Sequence, residues 1–126
     1  MFRPAGRSPT GRPRAAVPLP GRRVRGSATG RPVMAALDLL GRRWTLRVLW
    51  ELRGSALTFR GLQAACGGLS PSVLQQRLAE LAAAGLVAHD GASGYALTPL
   101  ALRLLPALQA LDGWAREWAA SLARAR

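Results

Sequence analysis

From Val33 onward the apolar residues recur at helical intervals. Val33, Ala36, Leu37 and Leu40 mark a short helix that ends near Gly41. Trp44, Val48, Leu49 and Leu52 line a second helical stretch from about Arg43 to Arg53, stopped by Gly54. Thr58 reads as the N-cap of a short helix from Phe59 to Cys66, with Phe59 and Leu62 as its apolar face. Gly67-Gly68 then makes a tight turn. Ser70-Pro71 is a strong restart signal, a capping hydroxyl followed by proline at the first helical position. The helix it opens runs to about Ala84, with Leu74, Leu78 and Leu81 as its apolar stripe, and stops at Gly85.

The period then changes. Leu86 to His89 and Tyr95 to Leu97 are short strand-like runs around a turn at residues 90–94, a hairpin signal. Thr98-Pro99 repeats the capping device and opens a long final helix to about Ala123, in which Pro106 is expected to cause a kink or cost a hydrogen bond. Leu104, Leu108, Leu111, Ala115, Trp118 and Leu122 form a coiled-coil-like seam along it. The predicted class is mainly α with a small β-hairpin. A short helix, a tight turn, a capped helix and a hairpin are the parts of a winged helix-turn-helix, spanning residues 31–126.

Residues 1–30 lack this periodicity. Their Pro, Gly, Ser and Arg cannot bury enough surface to offset chain entropy, so a disordered tail is expected. Three readings of the tail stand side by side. It is a polybasic arm, or an organelle transit peptide, or a stretch upstream of a start at Val33 or Met34. Its five prolines count against the amphipathic helix of a transit peptide.

Charge adds a partner to this picture. The 126 residues carry a formal net charge of +12, and every basic residue is Arg. Eight of the 18 Arg precede Pro32, where there is no acid. Such an excess points to a polyanion, usually nucleic acid. Catalytic chemistry has little to work with. Cys66 is the sole cysteine and His89 the sole histidine, which excludes a cysteine-based zinc site or a histidine cluster, and the six acids form no close pair. Neither an enzyme nor a cofactor or metal is expected, and no apolar run is long enough for a membrane span. Cys66 reads as a small buried residue.

In this arrangement the helix after the Gly turn lies in the major groove of double-stranded DNA, and its outer face carries the chemistry. Gln75 and Gln76 each offer donor and acceptor together, which matches an adenine edge. Ser70 and Ser72 can bond phosphates or bases, and Arg77 can reach a phosphate or a guanine. The competing reading is a solvated face on which Arg77 pairs locally with Glu80 or Glu51. Affinity is expected from Arg42, Arg43, Arg53, Arg60, Arg77 and the tail. Trp44 and Trp50 read as core. Trp114 and Trp118, one turn apart, read as facing a dimer partner or the first helix, with an aromatic effector pocket as the lesser reading.

Three stretches resemble the HxlR-type regulators. They are residues 32–46 (PVMAALDLLGRRWTL), 69–81 (LSPSVLQQRLAEL) with Gly85-Leu86-Val87, and 95–100 (YALTPL). The resemblance covers about residues 31 to 120, in the family's order. It implies a bacterial or archaeal, cytoplasmic, nucleoid-associated homodimer on near-palindromic DNA, with an effector left open. It also implies dimer contacts through the first and last helices, assigned here to Val33, Leu37, Leu40, Leu108, Leu111, Trp114 and Trp118. Three departures stand out. Arg31 occupies the place where many members carry a sensing cysteine. The wing is short and lacks Arg or Lys, and the Arg-rich tail is additional. The tail is therefore expected to take over the phosphate contacts that a basic wing makes. The rival reading is a winged-helix protein-interaction module whose tail binds nucleic acid without sequence preference.

Overall fold

A computed structural model describes residues 17–125. Six helices and one hairpin follow in order: α1 (Pro32–Leu40), α2 (Thr45–Glu51), α3 (Phe59–Ala65), α4 (Pro71–Ala83), β1 (Val87–Asp90), β2 (Gly94–Leu97), α5 (Pro99–Leu102) and α6 (Leu105–Arg124). The chain is a winged helix, mostly helical with a two-stranded antiparallel wing. Among the described residues no helix is long and apolar enough to cross a membrane.

The three capping hydroxyls act as their positions predict. Thr58, Ser70 and Thr98 each accept a hydrogen bond from the backbone N–H three residues on, in Gly61, Val73 and Ala101. Each satisfies a donor that the first helical turn leaves free, an effect of about 1 kcal/mol. The helices converge on one core of Val48, Leu49, Leu52, Leu62, Leu74, Leu78, Leu81 and Val87. The predicted stripe of α4 is therefore its buried face. Cys66 is buried in the same core. Burial pushes its thiol up, while Arg47 nearby lowers it and Glu51 raises it by smaller amounts. A thiol so placed yields little thiolate, which supports the packing reading.

The wing is tied to the body by a contact that hydrophobic period does not reveal. Leu57 donates to Tyr95 O at 2.9 Å and accepts from Tyr95 N at 2.7 Å, forming an isolated bridge beside β2. In register, Val87 pairs with Leu97 and His89 with Tyr95. His89 is exposed and sits edge-on to the Tyr95 ring at 4.6 Å.

Three expectations are corrected. Residues 17–30 belong to the stretch expected to be disordered, yet they form a turned strap. Val24 and Ser27 exchange backbone hydrogen bonds, Gly21 N donates to Gly30 O, and Arg25 N donates to Asp38 Oδ2 of α1. Val24 and Pro18 are buried. Composition undervalued how closely glycine lets a chain fold on itself: a Cβ at Gly30 would collide with the Arg22 backbone. The rest of the predicted tail, residues 1–16, lies outside the described residues.

The second correction is that α2 starts at Thr45 rather than Arg43. Trp44 adopts φ +75°, the only non-glycine residue with positive φ among those described. Third, the final helix is broken rather than kinked. Arg103 and Leu104 form a tight turn, and Pro106 falls in the first turn of α6, where its missing N–H has no helical partner to lose. Leu108, assigned from the seam to a dimer partner, is 8% exposed and packs in the protomer's own core; Leu40 is also packed against that core.

Candidate nucleic-acid interface

α3, the turn at residues 66–70 and α4 form the helix-turn-helix unit. Gly67 and Gly68 both take positive φ in that turn. Two hydrogen bonds hold it: Gly68 N donates to Gln63 O at 2.9 Å, and Gln63 Nε2 donates to Leu69 O at 2.8 Å. α4 packs against α2 on one side and β1 on the other. The turn and both neighbours thus fix the direction in which α4 presents its free face.

That face is narrower than the sequence suggests. Ser70, Ser72, Gln75 and Ala79 are exposed. Gln76 and Arg77 turn inward instead. Arg77 Nη1 donates to Glu80 Oε1 at 3.0 Å, and its Nε donates to Arg43 O at 2.7 Å. Gln76 Nε2 donates to Glu80 Oε2 at 3.3 Å. Arg42 Nη1 reaches the same oxygen at 2.8 Å from the α1–α2 turn. Glu80, only 6% exposed, is the hub of this network. Sequence spacing contains the signal, since Arg77 lies three residues beyond Leu74 and four before Leu81, on the edge of the buried stripe. The local pairing of Arg77 with Glu80 is the one found.

The network also explains how Trp44 stays in its left-handed conformation, which costs a bulky residue about 1 kcal/mol or more. Arg77 grips the carbonyl of Arg43 immediately before it. Arg42, two residues before it, is held by Glu80. The start of α2 and the middle of α4 are thereby clamped together.

The other basic residues divide into committed and exposed. Arg47 pairs with Glu51 and donates to Ala65 O. Arg53 stacks on Trp50 at 4.1 Å, and Arg43 lies 5.8 Å from the Trp44 ring. Arg60 is exposed on α3, with no side-chain hydrogen bond or ion pair among the described residues. The wing turn is acidic: Asp90 Oδ1 accepts from Ala92 N.

This order of elements, with a capped helix presented beside a short wing, has close counterparts. A family model described as HxlR-like helix-turn-helix matches residues 39–122. The chain belongs to that family. An uncharacterized HTH-type transcriptional regulator of Bacillus subtilis (strain 168), YvaP, is 34% identical over 89 residues, which cover 66% of this chain and 82% of YvaP. Among solved structures, a MarR-family transcriptional regulator from Enterococcus faecalis V583 superposes with a TM-score of 0.64 at 30% identity, covering 73% of this chain and 89% of that one. Quinone-bound YodB from B. subtilis superposes with a TM-score of 0.63 at 26% identity, over 68% of this chain and 96% of YodB. This HxlR-like chain is thus a transcriptional regulator of the winged-helix type.

The apolar residues assigned to a dimer partner lie mostly in the open. Val33 and Leu37 on α1 are 63% and 60% exposed. On α6, Leu111, Trp114, Trp118 and Leu122 form one exposed stripe, and the two indoles stack at 5.5 Å with their planes 16° apart.

Proposed function

We propose that the protein binds double-stranded DNA with sequence preference as a homodimer, with α4 in the major groove and an inverted repeat as operator. The supporting observation is the free face of α4. Ser72 and Gln75 stand out from a helix that is capped, braced by the Gly turn and clamped through Glu80. Gln75 is the side chain suited to reading a base, because Gln76 is engaged with Glu80. At the start of α4, Pro71 has no N–H and Val73 N is taken by Ser70 Oγ, so the N–H and hydroxyl of Ser72 are the groups that suit a phosphate. Arg60 supplies a second phosphate contact, and Arg77 acts by holding the interface in shape.

DNA-affinity sequencing of the full-length protein tests this reading. An inverted repeat with half-sites roughly one helical turn apart is the expected motif. Gln75→Ala should then lose about tenfold in affinity for the best site and relax preference at a single base step. Equal binding of all duplexes, with affinity set by salt alone, would instead favour an interaction module with nonspecific nucleic-acid binding.

Pairing is assigned to the α6 stripe and to Val33 and Leu37. These side chains are too large and too contiguous to stay solvated without a partner. The double variant Trp114→Ala/Trp118→Ala should shift sedimentation from dimer to monomer at micromolar concentration while keeping the far-ultraviolet signal, because neither indole is in the core. A variant that sediments as the native protein does would remove α6 from the interface.

A further inference from the structure

An apolar cleft of about 390 Å³ lies between the strap and the helical body. Leu19 and two prolines of the strap form one wall. Ala36 and Leu39 of α1, Leu86 and Leu104 form much of the rest. Every lining residue is Pro, Ala or Leu except one, Arg103. Arg103 is exposed in the α5–α6 turn and makes no side-chain hydrogen bond or ion pair among the described residues. No acid lines the cleft. The strap lies outside residues 39–122, which the family model matches.

We propose that this cleft binds a small amphipathic carboxylate. Its apolar body lies between the strap and α1, and its carboxylate rests on the Arg103 guanidinium. The volume falls in the ordinary range for small-molecule sites, which combine apolar walls with a few polar groups that fix orientation. A planar guanidinium pairs a carboxylate through two parallel hydrogen bonds. A free phosphate does not suit walls of Pro, Ala and Leu, where one arginine would have to replace its whole hydration shell. Ala36 and Leu39 face the cleft from one side of α1 and Val33 and Leu37 point to the next, while Leu40, which also lines the cleft, lies at the border between the two. Ala84 and Leu86, at the end of α4, also line the cleft. An occupant therefore touches the C-cap of the helix assigned to DNA and the segment that follows it.

Calorimetric titration of the full-length protein with 1-naphthoate, without DNA, tests the site. Saturable binding at one molecule per protomer is expected, with 1-naphthamide at least about tenfold weaker, the scale of one charge-assisted contact. Arg103→Gln should bring acid and amide to the same affinity. Ala36→Trp, which fills the cleft from an exposed position, should abolish both; Leu100→Trp serves the same purpose if Ala36→Trp lowers the melting temperature. Equal binding of acid and amide by the native protein would overturn the proposal. So would naphthoate binding that survives the filling variant, or no binding at millimolar naphthoate, as expected if a second copy occupies the cleft. These outcomes stand whether or not the protein recognises an operator.

Discussion

Glu80→Ala is expected to lower the free energy of unfolding by about 3 kcal/mol, the lower end of the range for breaking a buried ion pair. Glu80 accepts from Arg42, Arg77 and Gln76. Its removal leaves two guanidinium groups without their carboxylate, each in a largely buried site with side chains 18% and 16% exposed. That partial exposure lets water replace some of the lost bonding and keeps the effect from the top of the range. A domain of this size is stable by roughly 5–15 kcal/mol, so the loss is a large fraction of the whole. The melting temperature should fall by roughly 10 °C or more. Glu80→Gln keeps one carbonyl acceptor and should fall between the two. Urea titration of the three proteins gives the order directly. A Glu80→Ala variant within about 0.5 kcal/mol of the native protein would mean that the network adds nothing to stability. Operator affinity should also fall, because the clamp between α2 and α4 opens before the whole domain unfolds.

The hub shows where sequence reading reaches its limit. Caps and periods are local, and Thr58, Ser70 and Thr98 each announced a helix that begins one residue later. The stripe Leu74, Leu78 and Leu81 is likewise a local period, and all three are buried. Glu80 and Arg42 are 38 residues apart, and no period links them. The Leu57 bridge to Tyr95 is a single residue long, too short to alternate. The strap is held by backbone hydrogen bonds that do not depend on apolar side chains, so its composition resembles that of a disordered tail. Leu108 fits the α6 seam by spacing, but the seam begins inside the protomer's core and only later becomes exposed. On α4, Ser72 and Gln75 are exposed, whereas Gln76 and Arg77 turn inward to a carboxylate on their own helix.

Gly94→Ala should destabilise the domain by roughly 3 kcal/mol, with the damage centred on the wing. Two costs add. Gly94 has φ +95°, a conformation that strains any residue with a side chain by about 1–3 kcal/mol. A Cβ there would also press on the carbonyl of Leu57 and lie 2.7 Å from its carbon and from Thr58 Cα. These are backbone atoms, so no rotamer change relieves the overlap, and overpacking of this kind costs about 1–3 kcal/mol. The neighbouring Leu57–Tyr95 bridge must lengthen or break. Thr58, next in the chain, caps α3, so the disturbance reaches the helix-turn-helix from the wing side. Amide hydrogen exchange can locate the effect: Leu57 and Tyr95 should lose protection first and most. Gly91→Ala is the matched control, since a Cβ at Gly91 meets open space. If Gly94→Ala and Gly91→Ala melt together, the wing is not held at this crossing, and the Leu57 bridge contributes no more than a surface contact.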